Sequence, residues 1–165
     1  MSTSTRQMYE LPIGGSWTPA SSGATYDTLD PFSGEPWATV PEGGADDVDR
    51  AVRAAREALS GPWGQMSASE RGRVLLRIAD VLERDAPELA RLETQDNGKL
   101  LREMNGQMAA LPAWYRYYAG LADKIHGDTI DADRRDYLVY TRHEPVGADE
   151  RERARPCAAS HRRRA

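Results

Sequence analysis

The sequence predicts an α/β fold made of short N-terminal strands, about four helices and a β-hairpin arm. Two observations favour this fold. Between residues 46 and 123, apolar residues recur at helical spacing and are bounded by helix-start and helix-stop signals. On both sides of this region, short β-rich runs alternate with turns built from proline and glycine. We therefore expect strands first, helices next and a hairpin last.

Three short strands are predicted before the helices. They cover residues 13–17, 25–29 and 37–40, and the segments between them are rich in turn-forming residues. Residues 30–35 form a turn, because proline stands early and glycine late in that segment. Residues 1–10 are polar and are expected to be a loose N-terminus.

A first helix is predicted over residues 46–59. Asp46 is a suitable N-cap, and acidic residues close behind it favour the positive end of the helix dipole. Val48, Val52, Ala55 and Leu59 share one face at helical spacing. The helix should end at Gly61–Pro62, since proline cannot continue a helix without losing a hydrogen bond.

Three more helices are predicted between residues 67 and 123. The second covers residues 67–85 and begins with a Ser67–Glu70 capping box. Pro87 then suits the first turn of a third helix, which ends where Asn97–Gly98 permits a left-handed backbone. A fourth helix starts near residue 100, is kinked or restarted at Pro112, and carries a Met and Tyr stripe that we interpret as core packing.

A β-hairpin is predicted after the helices. Residues 129–130 and 137–142 are strand-like, and the polar segment between them forms the connection.

Composition limits the class of protein. The 165 residues are enough for one domain, and 39% of them are apolar. No apolar run approaches the roughly 20 residues that span a bilayer, and residues 1–10 lack the apolar core of a signal peptide. A single cysteine, Cys157, excludes an intrachain disulfide and fits a reducing compartment. We expect a cytoplasmic protein that does not bind membranes.

The residues offer few candidates for chemistry. Cys157 is the one thiol, but its neighbours include no general base, so a catalytic role is disfavoured. The three histidines, His126, His143 and His161, lack the spacing of metal ligands. Gly14–Gly15 and Gly43–Gly44 are turn glycines rather than a phosphate-binding loop. The catalytic, cofactor-binding and metal-binding sets are therefore each predicted to be empty.

Several ordered blocks carry a resemblance to a known family. They are GGSW (14–17), DPFSGEPWATVPEG (30–43), GPW (61–63), LETQDNGK (92–99), RYYAGLADKIHG (116–127) and EPVG (144–147). In this order and spacing they resemble the N-terminal part of the aldehyde dehydrogenase superfamily, over about residues 11–147. The resemblance implies the N-terminal part of a cofactor domain with an oligomerisation hairpin at about residues 128–143, without the complete parallel sheet.

The resemblance also implies a reaction whose machinery lies elsewhere. Family members oxidise an aldehyde to a carboxylic acid with NAD or NADP, using a cysteine nucleophile, a glutamate base and an oxyanion-binding asparagine. These positions follow the EPVG block in the family, and the PWN motif expected soon after it is replaced by Ala148–Arg153. The chain alone is therefore predicted to be inactive and to bind neither NAD nor NADP.

One weaker set of residues follows from the same resemblance. Some family members hold a structural monovalent cation between backbone carbonyls of an early strand and an acid of the DNGK block. Thr28, Leu29 and Asp96 stand at the matching positions. The remaining family ligand would come from outside this chain, so an occupied site is not expected.

The composition changes abruptly after Gly147. Residues 148–165 contain six Arg and five Ala and no large apolar residue, so we expect a disordered tail that trypsin removes first. Residues 1–147 hold 16 basic and 23 acidic side chains, whereas the tail is net positive. Truncation or a frameshift in a GC-rich gene explains such a tail, since arginine outnumbers lysine 20 to two. A natural basic tail is the alternative.

Three functional classes follow from these observations. The first is an aldehyde dehydrogenase fragment, whose parent enzyme would act on an aldehyde substrate. The second is a non-catalytic interaction module, or a partner of a complete homologue. The third is a nucleic-acid binder that uses the arginines of the tail, which we disfavour because the rest of the chain is acidic. Self-association through the hairpin arm is compatible with the first two classes.

Overall fold

The β-rich and helical segments separate along the chain in the order that the sequence predicts. The computed structural model describes residues 6–147. Its elements are β1 (Gln7–Met8), β2 (Leu11–Ile13), β3 (Ser16–Thr18), β4 (Thr25–Leu29), β5 (Pro36–Pro41), α1 (Ala45–Ser60), α2 (Pro62–Gln65), α3 (Ala68–Asn97), α4 (Leu101–Leu121), β6 (Thr129–Ile130) and β7 (Val139–Tyr140). The strands form three small sheets, and no complete parallel sheet is present within residues 6–147.

The first predicted strand is in fact a hairpin. β2 and β3 pair antiparallel, with Leu11 opposite Thr18 and Ile13 opposite Ser16. Gly14 and Gly15 connect them with φ angles of 60° and 81°. A two-residue hairpin turn of this kind needs positive φ at both positions, and glycine adopts it without a steric penalty. The prediction of one strand over residues 13–17 was wrong, whereas the interpretation of Gly14 and Gly15 as turn glycines is confirmed.

Part of the predicted loose N-terminus belongs to a sheet. β1 pairs parallel with β5, and β5 pairs antiparallel with β4, giving the order β1-β5-β4. The Tyr9 amide donates to the Thr39 carbonyl at 3.0 Å, and the Arg6 guanidinium contacts Asp27 at 2.6 Å. β5 offers a second edge of unpaired backbone groups, which the N-terminal residues satisfy. The expected loose segment therefore does not extend to residue 10.

Helix α1 is capped differently from the prediction. Its N-cap is Gly44 rather than Asp46, and the side chain of Asp47 accepts the Gly44 amide at 2.9 Å. Asp47 also accepts the Ser21 hydroxyl at 2.6 Å and the Arg50 guanidinium at 2.6 Å, and only 3% of the residue is exposed. The Ser21 hydroxyl, followed by the Gly44 amide and Arg50, holds the pKa of Asp47 well below its ordinary value. Asp47 thus ties the loop before β4 to the start of α1.

Replacing Asp47 with alanine is expected to lower the melting temperature by several degrees and to weaken its acid dependence. The pKa of Asp47 is depressed in the folded state, so this carboxylate stabilises the fold above its unfolded pKa of about 3.9. That contribution is lost as the pH falls below about 4 toward the folded pKa. Thermal unfolding between pH 7 and pH 3 measures it. Asp46→Ala, at an exposed neighbour, is the control, and equal effects of the two variants would contradict the assignment.

Helix α3 is a single helix of 30 residues, although two were predicted. The Ser67 hydroxyl accepts the Glu70 amide and Glu70 accepts the Ser67 amide, which confirms the capping box. Gly98 ends the helix at φ 75°, which confirms the predicted stop. Pro87 lies inside α3 rather than at a new start. Both halves of α3, before and after Pro87, contribute to one buried face, in which Ala79 and Ala90 are 0% exposed. Burial of this face outweighs the hydrogen bond that Pro87 cannot donate.

Helix α4 packs against α3 and passes through Pro112 without interruption. Pro112 is fully buried, and the helix continues through it, so the predicted restart was wrong. Arg116 of α4 reaches α3, where it contacts Asp80 at 3.0 Å and Glu83 at 2.6 Å. These hydrogen bonds, with Glu83 first, raise the pKa of Arg116. The two helices therefore form an antiparallel pair that is held together by small buried residues and by the ion pairs of Arg116.

The remaining elements are small and largely exposed. The one-turn helix α2 follows Gly61, with Pro62 in its first turn, where a missing N–H costs nothing. β6 and β7 pair antiparallel, with Thr129 opposite Tyr140, as the predicted hairpin requires. Within residues 6–147 no helix has the length and apolar character needed to cross a membrane. Residues 148–165, the predicted disordered tail, lie outside the described residues.

Candidate functional site

A cavity lies between the β1-β5-β4 sheet and helices α3 and α4. It is an open groove of about 460 Å³. Its sheet side is formed by Tyr9, Tyr26, Trp37 and Val40, and its helix side by Leu82, Leu89, Leu92, Met108 and Leu111. Such a groove is expected where the alternating side chains of a twisted sheet meet an apolar helix stripe. Its surface is mainly hydrophobic.

Thr28 and Asp96 form the polar end of this groove. The Thr28 hydroxyl donates to Asp96 Oδ1 at 2.9 Å, which links β4 to the last turn of α3 across 68 positions of sequence. Thr28 is 8% exposed. The pairing register of β4 with β5 shifts between Thr28 and Leu29, so the strand is irregular at this point. Two of the three positions implied as cation ligands are thus brought together.

These residues do not by themselves make a cation site. A monovalent cation suits oxygen ligands, and the Asp96 carboxylate is of that kind. However, Asp96 Oδ1 is already used by Thr28, and Leu29 is 50% exposed. Residues 6–147 contain no cluster of three or more His, Cys, Asp or Glu side chains able to hold a metal ion. We assign no step or structural role to a bound cation.

The two carboxylates of the groove, Asp96 and Glu93, both accept hydrogen bonds from neighbouring side chains. Its second carboxylate, Glu93, accepts the Asn97 amide at 2.7 Å and the Lys99 ammonium at 3.2 Å. Those contacts stabilise the C-terminal end of α3, where cations and amide donors are favourable. Cysteine is absent from residues 6–147, since the one cysteine is Cys157. The groove therefore resembles a packing surface more than an active site.

The N-cap amides of α1 and α3 are hydrogen-bonded to side chains of their own helices. A helix start binds phosphate through free backbone N–H groups and a positive dipole. At α1 the Asp47 carboxylate accepts the Gly44 amide, and at α3 the Glu70 carboxylate accepts the Ser67 amide. The first turn of α4 carries Glu103. The expected absence of NAD or NADP binding by this chain stays a prediction.

The other residues considered for chemistry are dispersed. His126 and His143 are exposed in the loops on either side of the β6–β7 hairpin. Cys157 and His161 lie outside the described residues. The assignment of no catalytic, cofactor-binding or metal-binding residue to this chain stays a prediction. Sequence reasoning missed the sheet wall of the groove, where Tyr9 meets Trp37 edge to face at 6.1 Å, because Tyr9 was placed in the loose end.

The known proteins that are similar to this chain agree with the observed fold. A profile described as the aldehyde dehydrogenase family matches residues 17–149. "Aldehyde dehydrogenase family 2 member B4, mitochondrial" from Arabidopsis thaliana is 52% identical over 140 residues, covering 84% of this chain and 26% of that protein. The human protein "Aldehyde dehydrogenase, mitochondrial" is 49% identical over 145 residues, covering 84% and 27%.

Solved structures give the same result. An NAD+ complex of aldehyde dehydrogenase from Bacillus cereus superposes with a TM-score of 0.80 at 42% identity, covering 85% of this chain and 29% of that chain. A putative aldehyde dehydrogenase from Burkholderia cenocepacia gives 0.77 at 44% identity, covering 81% and 28%. The chain therefore spans between a quarter and a third of the length of these relatives, in their N-terminal part. The chain belongs to the aldehyde dehydrogenase family.

Proposed function

We propose that residues 6–147 serve as the N-terminal part of the cofactor domain in an enzyme that oxidises an aldehyde to a carboxylic acid with NAD or NADP. The family match over residues 17–149, combined with the small share of each relative that the chain covers, carries this proposal. Four of the similar solved structures contain NAD+, which supports a nicotinamide cofactor for the parent reaction. The cofactor would accept a hydride from the substrate in that reaction.

We further propose that the 165-residue chain is a scaffold rather than a catalyst. Aldehyde oxidation of this kind requires a nucleophile placed beside the carbonyl and a base that activates water. The groove lining includes no thiol, and its carboxylates Asp96 and Glu93 accept hydrogen bonds from the neighbouring side chains of Thr28 and Asn97. The residues of this chain would instead position the start of the cofactor domain through the Thr28–Asp96 and Asp47 contacts. Their contribution to activity is structural.

The isolated chain is expected to show no saturable NAD+ or NADP+ binding and no aldehyde oxidation. The sequence has no glycine-rich phosphate loop after a strand, and the cysteine, glutamate and asparagine of the resembled family follow the EPVG block, after which this sequence departs from the family. Calorimetry with both nucleotides and a spectrophotometric assay with a panel of aldehydes measure this. The full-length Bacillus cereus relative serves as the positive control. Micromolar binding, or turnover that Cys157→Ala abolishes, would contradict the proposal.

Self-association through the hairpin arm is a separate part of the proposal. All four residues of β6 and β7 are exposed, and Leu138 beside them is 76% exposed. A short two-stranded sheet with open edges and apolar side chains pairs readily with another copy. We expect a concentration-dependent dimer in size-exclusion chromatography with light scattering. Val139→Lys should shift it toward monomer, because edge lysines oppose strand pairing.

Val146→Lys is the matched control for that experiment. Val146 lies outside the hairpin and is fully exposed, so the same charge there should leave association unchanged. A wild-type chain that stays monomeric at high concentration would refute association through the arm. So would a dimer that the two variants weaken equally.

A further inference from the structure

The C-terminal end of α3 contains an asparagine followed by a glycine. Asn97 is the last residue of the helix, and Gly98 is its C-cap at φ 75°. The Asn97 side chain is held at both of its polar atoms. Its Nδ2 donates to Glu93 Oε1 at 2.7 Å, and its Oδ1 accepts the Lys99 amide at 3.0 Å. Asn97 and Gly98 are both exposed, so water reaches an amide side chain that is fixed against the backbone following it.

The contact with Lys99 brings two reactive atoms together. A side-chain oxygen that accepts the amide two residues later closes a ring, which here includes Asn97 Cγ and the Gly98 nitrogen. The Gly98 nitrogen is unhindered, because glycine has no Cβ. The Lys99 amide polarises the Asn97 carbonyl and stabilises the negative charge that develops on Oδ1 when a nucleophile attacks Cγ. A nucleophile, an electrophilic carbon and an oxyanion donor thus lie within one turn.

One hydrogen bond opposes a reaction between these atoms. The Gly98 amide donates to the Thr94 carbonyl at 2.9 Å, so this bond must open before the Gly98 nitrogen can attack. The bond belongs to the last turn of α3, and helix ends open at a smaller cost in free energy than helix interiors. The left-handed backbone of Gly98 has already departed from the helical path. The nucleophile is therefore freed without opening the rest of α3.

A second asparagine–glycine pair provides an internal comparison. Asn105 and Gly106 are also exposed, but they lie inside α4, which continues to Leu121. Helical hydrogen bonds on both sides hold the backbone there, so the Gly106 amide is freed only when the helix interior opens. The two pairs share their chemistry and their exposure and differ in backbone setting. Only the pair at the end of α3 has the geometry for attack.

We propose that Asn97–Gly98 is a self-modification site, at which Asn97 is converted to aspartate or isoaspartate with release of ammonia. The Gly98 nitrogen bonds to Asn97 Cγ, the Cγ–Nδ2 bond breaks, and the proton lost by the Gly98 amide leaves with the ammonia. Water then opens the succinimide. Cleavage of the new bond at Cγ gives aspartate, whereas cleavage of the original peptide bond gives isoaspartate. Water is the co-reactant, and nothing is oxidised or reduced.

The product acts on the end of α3. A carboxylate at position 97 cannot donate to Glu93 and places a second negative charge four residues away from it. Negative charge is also unfavourable at a helix C-terminus. The neighbouring residue, Asp96, accepts the Thr28 hydroxyl at 2.9 Å, so a loosened last turn weakens the link between β4 and α3. The modification thus lowers the stability of the chain as it ages.

Peptide mapping of the purified 165-residue chain tests the proposal. The folded chain is incubated at neutral pH, and a short trypsin digestion then separates the two sites into peptides 92–99 and 103–116. Mass spectrometry measures the conversion of each asparagine, and isoaspartyl methyltransferase labels isoaspartate. Conversion of Asn97 should be at least about tenfold faster than that of Asn105, because the terminal turn opens more readily. In urea, where both pairs are unfolded, the two rates should become similar.

Three results overturn the proposal. The first is equal conversion of the two asparagines in the folded chain, or none at Asn97. The second is a preference for Asn97 that persists unchanged in urea, because the sequence rather than the fold would then cause it. The third is isoaspartate labelling that survives Asn97→Gln, whose longer side chain closes the corresponding ring slowly. Asn105→Gln is the matched control and should leave the labelling unchanged.

Asn97→Asp imitates the aspartate product and measures its effect on the fold. The variant should lower the melting temperature by a few degrees, because the new charge faces Glu93 at the negative end of the helix dipole. Asn105→Asp is the control, since it introduces the same charge in the first half of α4 and should leave the melting temperature nearly unchanged. Equal melting temperatures for the two variants overturn the destabilising effect assigned to the product.

Discussion

Replacing Met104 with alanine is expected to lower the free energy of unfolding by about 2–5 kcal/mol. Met104 is 0% exposed and is one of the two largest fully buried side chains in residues 6–147. The substitution removes its apolar contacts and leaves a cavity, and the continuous helices on either side limit collapse around the gap. Urea unfolding followed by circular dichroism measures the change. Such a loss is a large part of a typical stability of about 5–15 kcal/mol.

Met8→Ala is the control for that measurement. This substitution removes the same atoms from a methionine of β1 that is 69% exposed, so its effect on the free energy of unfolding should be small. A loss below about 1 kcal/mol for Met104→Ala would show that α4 is packed loosely at this point, in contrast to a well-packed core. Equal losses for the two variants would also count against the core assigned here.

Replacing Gly72 with alanine is expected to destabilise the chain by about 1–3 kcal/mol, although alanine is the better helix former. Gly72 lies in α3 at its crossing with α4. A Cβ there would lie 2.8 Å from the Ala119 carbonyl oxygen and 3.4 Å from the Ala122 Cβ. Because the closest atom belongs to the backbone of a helix, relief requires the helices to separate. Thermal or urea unfolding measures the loss.

Gly106→Ala is the matched control within α4. A Cβ on Gly106 would meet no atom within 4 Å, and this glycine is exposed. The same substitution should therefore stabilise by roughly 0.5–1 kcal/mol, because helix propensity is the remaining effect. A loss of stability for Gly72→Ala together with a gain for Gly106→Ala supports close helix packing at Gly72. Stabilisation of both would refute it.

The candidate site could be predicted only in part. Thr28 and Asp96 came from the family resemblance, and they do meet at 2.9 Å. The groove beside them required the tertiary structure, because it joins Tyr9 with side chains from β4, β5, α3 and α4 that no sequence pattern connects. The contact between Asp47 and Ser21 also required the tertiary structure. Ser21 lies 26 positions before Asp47, and a local capping rule considers only the neighbouring turn.

The sequence by itself determined the features that depend on neighbouring residues. Local interactions within a few positions form the Ser67–Glu70 capping box and the left-handed stop at Gly98. Strands β4 and β5 and the family motifs could likewise be read from short continuous segments of the sequence. The tertiary structure alone decided whether proline ended a helix and whether the N-terminus joined a sheet. Pro87 and Pro112 stay inside helices because the α3–α4 contact on both sides outweighs one lost hydrogen bond each. Gln7–Met8 becomes a strand because β5 offers it an open edge, a property of the folded sheet rather than of residues 1–10.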